Sequence, residues 1–168
     1  MKRGRQKVRG YVMGNNNIAI NFYFNNQDRL DIGNVTIKNT RKQGIVMVQF
    51  DLAEDIDEFT IDEFRFINNY VRNNFMGGSG MWIKTKEGAS IKFDRCHFER
   101  NEFDIAYSGV STSGCGGAFS IGNNADIIYS QITMTECQFI GNHAEKHGGA
   151  LAFSNLYPVS IIDCTFTD

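Results

Sequence analysis

The sequence predicts an all-β fold, a parallel β-helix (solenoid) of about five coils, and three observations support it. The first is an eleven-position template, h-x-h-x-x-b-x-h-x-x-n, in which h is apolar, b is Cys, Phe or Val, and n is usually Asn. The second is a short strand-like run ahead of each copy, opening on Gly in the later ones. The third is that the distance between copies varies while the template does not, as expected when loops are inserted at fixed corners of a wound chain.

The copies are Leu30/Ile32/Val35/Ile37/Thr40, Phe59/Ile61/Phe64/Phe66/Asn69, Ile91/Phe93/Cys96/Phe98/Asn101, Ile132/Met134/Cys137/Phe139/Asn142 and Val159/Ile161/Cys164/Phe166, numbered 1 to 5 below. Each is too small to bury its apolar face alone and must stack on its neighbours. Fourteen Phe with many Ile and Val favour strands, and 17 Gly against one Pro favour tight turns. The pairs h-x-h and b-x-h each have period two, but they sit three apart, which reverses the inward face unless the chain bends between them. The bend in copy 4 is expected near Thr135 and Glu136.

The Gly-led runs are Gly44 to Val48, Gly78 to Ile83, Gly116 to Ile121 and Gly148 to Phe153. Glycine takes positive φ without steric cost, so each run marks a corner before a strand. Spacings between b positions are 29, 32, 41 and 27 residues, with the longest insertion expected over Glu102 to Cys115. Coils in register would rise by about 4.8 Å each. A β-sandwich gives no reason for an Asn three residues after an inward Phe, and the Leu frame of leucine-rich repeats is absent.

Residues 1–16 carry Lys2, Arg3, Arg5, Lys7 and Arg9 and are expected to be a disordered terminus preceding the 17–168 repeat domain. No apolar h-region follows them, so a secretory signal is not read here, and no run is long enough to cross a bilayer. A net charge of −2 gives no global basic field for nucleic acid. The chain stops inside a template copy and is expected to be truncated, with uncapped end coils that favour self-association.

Phe139-Ile140-Gly141-Asn142 followed by Gly148-Gly149-Ala150-Leu151 resembles the F-x-x-N and G-G-A-I/L pair of chlamydial-type polymorphic outer membrane protein repeats. Phe98 to Asn101 with Gly116-Gly117-Ala118-Phe119 looks like a second copy, and Phe66 to Asn69 with Gly77-Gly78 a degenerate third. The resemblance covers residues 59–166 and fades at copy 1, where Thr40 replaces Asn. It implies a right-handed β-helix of the pectin-lyase-like type, cell-surface or extracellular placement, and adhesion. With neither a signal nor a C-terminal membrane barrel, the chain is expected to be a fragment rather than a complete autotransporter.

Cys96, Cys137 and Cys164 share one template column and are expected to fill the core as free thiols, because a ladder holds their Cβ vectors parallel rather than converging. Cys115 lies off the column, and no C-x-x-C spacing suggests zinc. Asn69, Asn101 and Asn142 are expected to play a structural part, through tolerance of left-handed backbone or an amide ladder.

Outward columns are the functional candidates. Glu63, Arg95 and Glu136 alternate in sign between Asn34 and Asp163, and Arg65, His97 and Gln138 run beside them. With Trp82, expected to face outward near Ser120, they form a possible face for a glycan or a cell-surface protein. Asp62 and Asp94 share the adjacent column at a separation near that of retaining glycosidases, and two carboxylates could equally hold Ca²⁺. No other cofactor is expected. His143 to His147 misplaces the Glu of H-E-x-x-H, and the acidic run Asp51 to Glu58 lacks EF-hand order. The main expectation is therefore a non-enzymatic adhesin-like repeat fragment. The alternatives are a polysaccharide lyase or glycoside hydrolase using Asp62 and Asp94, and an inactive truncated copy.

Overall fold

The structure, a computed structural model, describes residues 5–13, 20–24, 29–43, 46–52, 58–73, 79–84, 89–105, 119–121, 131–144, 148–153 and 158–168. These are all β, with no helix among them, and every strand pairing is parallel, an arrangement consistent with a β-helix or other solenoid. Four arms recur along the chain. The h-x-h arm is carried by β3 (Arg29–Lys38), β6 (Glu58–Asp62), β10 (Ser90–Asp94), β14 (Gln131–Thr135) and β18 (Val159–Ile162). The b-x-h arm runs through the second half of β3 and through β7 (Arg65–Ile67), β11 (His97–Glu99), β15 (Gln138–Ile140) and β19 (Thr165–Thr167).

Equivalent template positions lie opposite one another: Ile91 pairs with Phe59 and Ile132, and Phe98 with Phe66 and Phe139. The strands of the Gly-led runs, β5 (Val46–Leu52), β9 (Ser79–Lys84), β13 (Phe119–Ile121) and β17 (Leu151–Phe153), form a second sheet with β2 (Ile20–Phe24). At its last corner Gly148 has φ +59°, and a Cβ on Gly149 would stand 2.9 Å from the Asn142 carbonyl oxygen. Neither position suits a larger residue.

A third sheet has no counterpart in the sequence reading. It comprises β4 (Arg41–Gln43), β8 (Tyr70–Asn73), β12 (Glu102–Ile105) and β16 (His143–Ala144), each beginning directly after the n position. The segment expected to be a loop from Glu102 therefore opens with four strand residues, and His143 and Ala144 form a short strand. The basic N-terminal segment also differs from expectation. Arg5–Met13 is β1 and pairs with β3, with a register shift between Val8 and Gly10 that follows the bend in its partner. Cys115, Glu145 to His147 and residues 53–57 of the acidic run lie outside the described residues.

Burial follows the template. Phe59, Ile61, Phe64 and Phe66 in copy 2, Ile91, Phe93, Cys96 and Phe98 in copy 3, and Ile132, Met134, Cys137 and Phe139 in copy 4 are all buried. One column stacks its rings face to face, Phe98 on Phe139 at 5.0 Å and Phe139 on Phe166 at 4.8 Å. Those separations are the inter-strand spacing itself. In copy 5 Ile161 and Phe166 lie open, 46% and 49% exposed, while Val159 and Cys164 are half-buried.

Two left-handed residues turn each of copies 1 to 4, and one turns copy 5. Asn34, Glu63, Arg95, Glu136 and Asp163, between the two arms, have φ of 48–54°. Asn39, Asn68, Arg100 and Gly141, just before n, have φ of 48–56°. Left-handed tolerance was expected of Asn69, Asn101 and Asn142, but it is the residue before each that takes this conformation. The n residues act through their side chains. Asn101 Nδ2 donates to the Phe66 carbonyl at 2.7 Å, and Asn101 Oδ1 accepts from Asn69 N at 3.1 Å and from Asn69 Nδ2 at 3.0 Å. Asn69 and Asn142 repeat the pattern, and Thr40 ends it by donating N–H and O–H to Asn69 Oδ1.

Two stability outcomes follow, both readable by urea unfolding. Phe98→Ala should cost about 3–5 kcal/mol as a core truncation, whereas Phe166→Ala, half exposed, should cost about 1 kcal/mol or less. Asn101→Ala should cost at least about 2 kcal/mol, because the Asn69 N–H and the Phe66 carbonyl lose their partner. Near-equal losses for the two Phe variants would contradict the burial gradient.

Candidate functional site

The outward surface of the first bend is built by the same geometry that fills the core. Where h-x-h ends, the left-handed residue points its side chain to solvent, and Glu63, Arg95 and Glu136 are all exposed. Arg95 is the centre of this face. Its Nη2 donates to Asp62 Oδ1 at 2.7 Å and its Nη1 to Asp94 Oδ2 at 2.6 Å, with Glu63 Oε1 3.8 Å from Nε. Asp62 first, then Asp94, push the guanidinium pKa above its ordinary value. The pairs are solvent-exposed and screened, so they fix geometry more than they add stability.

Asp62 and Asp94 lie directly opposite in the β6–β10 ladder, as a shared column requires. One guanidinium occupies both carboxylates, so a sugar or a cation would have to displace Arg95 to reach them. Among the described residues no three His, Cys, Asp or Glu side chains are grouped to hold a metal ion.

Beside this column, Arg65, His97 and Gln138 are opposed on β7, β11 and β15. His97 Nδ1 lies 3.0 Å from Gln138 Oε1 in the next copy, and Nε2 lies 3.0 Å from Glu99 Oε2. An imidazolium donates to both oxygens, while a neutral ring donates to one and needs the Gln138 amide turned to satisfy the other. The sequence reading missed Glu99. Its signal was available, because His97 and Glu99 flank an inward Phe98 and so share a strand face. The hydrogen bond from His97, and after it the charge of Arg100, hold the Glu99 carboxyl below its ordinary pKa against an opposing effect of burial.

The cysteine column lies behind this face. Cys96 and Cys137 are buried, Cys164 is half-buried, and all three are free thiols. Cys96 Sγ donates toward the Ile61 and Asp94 carbonyls at 3.3 and 3.4 Å, and Cys137 Sγ toward those of Phe93 and Thr135 at 3.7 and 3.3 Å. Burial drives the Cys96 pKa well up, as suits a packing thiol rather than a nucleophile. Trp82 is opposite Ser120 in the β9–β13 ladder; its side chain is outside the described residues.

In comparisons with known proteins, no family model, no curated protein and no solved structure matches the chain. Among the described residues no helix is long and apolar enough to cross a membrane.

Glu99 gives this face a pH dependence. Its folded pKa lies below the unfolded one, so its stabilising contribution is full above the unfolded value of about 4.3 and is lost as pH falls through the folded value. Urea midpoints should show wild type more stable than Glu99→Gln at neutral pH, with the gap closing below about pH 4.3. A gap that widens on acidification would reverse the assigned sign.

Proposed function

We propose that this chain is a non-enzymatic repeat segment of a cell-surface or secreted adhesin-like protein. In this reading it is a single-stranded, right-handed parallel β-helix of the pectin-lyase-like type, as the resemblance to polymorphic outer membrane protein repeats implies. It binds a glycan or a surface protein through its outer columns. The observation that carries the proposal is the state of the acidic pair. The two carboxylates best placed for sugar chemistry are bound by Arg95, inside a regular polar face of Glu63, Arg65, Arg95, His97, Glu136 and Gln138. An array of this kind suits an extended partner, because each copy places its outward residues at the same position about 4.8 Å further along.

The competing reading is a polysaccharide lyase or glycoside hydrolase that uses Asp62 and Asp94, with or without Ca²⁺. Incubation with acidic and neutral polysaccharides in the presence of Ca²⁺ or a chelator separates the two. The adhesin reading expects retention on immobilised glycan or on cell-surface protein with no new reducing ends and no unsaturated products. Turnover that disappears in Asp94→Asn would overturn it.

A further inference from the structure

A cleft of about 280 Å³ opens at the second corner, lined by Asn39, Asn68, Asn69, Tyr70, Arg100 and Glu102. It lies on a different edge of the strand stack from the Arg95 face. Its composition follows from the left-handed corner. Asn39, Asn68 and Arg100 occupy one column at the positive-φ position, and all three are exposed. Two residues further on, Tyr70 and Glu102 open β8 and β12 and lie opposite one another in that ladder. Amides and a guanidinium thus stand along one side, with a phenol ring and a carboxylate on the other. Asn69 is buried behind them, its amide fixed in the asparagine ladder.

The hydrogen-bonding inventory shows what such a cleft would take. Asn68 Nδ2 donates to Asn39 Oδ1 at 2.8 Å, which leaves Asn39 Nδ2 as donor and Asn68 Oδ1 as acceptor without a partner among the described residues. The Glu102 carboxylate is exposed on the same cleft, and Arg100 is anchored through one amino group to Glu99. Rigid, closely spaced donors and acceptors beside one half-buried aromatic ring complement a molecule with hydroxyls round its edge and C–H groups on its face. The volume is at the small end of ligand clefts, room for one ring rather than a length of chain. Arg100 is engaged by Glu99, and the exposed Glu102 carboxylate lines the cleft, which disfavours an acidic sugar.

We propose that this corner cleft is a binding site for one neutral pyranose ring of a glycan, with Glu102, Asn68 and Asn39 accepting and donating to its hydroxyls and Tyr70 packing on its face. The assignment rests on the adhesin reading and adds to it a ligand class and a location.

The test uses immobilised neutral hexose and N-acetylhexosamine oligosaccharides, with uronic-acid oligosaccharides as the charged arm, and the chain as wild type, Glu102→Gln, Asn68→Gly and Arg95→Gln. Both cleft substitutions keep the fold within reach, since Glu102 is exposed and Gly suits the positive φ of Asn68; equal thermal midpoints establish this before binding is read. The expected result is binding to neutral sugars that falls about tenfold in Glu102→Gln and in Asn68→Gly, and by less than that in Arg95→Gln. Neutral-sugar binding lost only in Arg95→Gln would overturn the cleft while leaving the adhesin reading in place. Preference for the uronic acids would overturn the neutral-ring assignment. Absence of glycan binding with retention on cell-surface protein would overturn the cleft and leave only the protein-binding form of that reading.

Discussion

The structure depends on satisfying backbone amides at left-handed corners. Copies 1 to 4 each turn twice through residues at φ near +50°, and a left-handed non-glycine residue costs roughly 1–2 kcal/mol. Such a turn also lifts the next N–H out of the regular ladder, and a buried N–H left unpaired costs a further ~1–3 kcal/mol. Both problems are solved from the adjacent copy. Left-handed Glu63, Arg95 and Glu136 donate their own N–H to the carbonyls of Asp94, Thr135 and Ile162, and Asn68 and Arg100 donate theirs to Glu99 and Ile140. The amide that follows is taken up by a side chain.

At the second corner that side chain is Asn; at the first, for the amides of Phe64, Cys96 and Cys137, it is Cys. Cys137 N donates to Cys164 Sγ at 3.4 Å, and the backbones of Phe64 and Cys96 reach Cys96 and Cys137 in the same manner. Cys96 and Cys137 in turn donate to a carbonyl of the preceding copy, as each Asn amide does. Cysteine is thus a compact version of the asparagine bracket, with a weaker acceptor and an apolar volume that also fills the core. Where Cys stands in register at one corner and Asn at the other, side chains of the stack itself bracket both bends.

Much of this was legible because side-chain chemistry alone decides it. Ile91, Phe93 and Phe98 read as inward from their spacing, and they are buried; the change of phase between Phe93 and Cys96 required a bend, which falls at Arg95. What escaped was conformation without a residue signature. Glu63 and Arg95 have no intrinsic taste for positive φ, so only the stack imposes it on them. Strands of two to four residues such as Tyr70–Asn73 carry too little alternation to stand out from a loop. The basic residues of β1 look like a solvated tail when composition is weighed without a partner strand. At the polar face, register sets Asp62 beside Asp94 with Arg95 following, but only the rotamer of Arg95 decides that one guanidinium closes on both. The corner cleft was illegible for the same reason, since Tyr70 and Glu102 are 32 positions apart and become neighbours only through β8 and β12.

The asparagine bracket also has a direction. Thr40 is completed by Asn69, Asn69 by Asn101 and Asn101 by Asn142, so the group that closes a corner always belongs to the copy synthesised later. A growing chain therefore carries an open bracket at its leading edge, sealed only when the next repeat arrives and passed on to that repeat in turn. Assembly by this route is vectorial, with its longest wait before Asn142, 41 residues after Asn101.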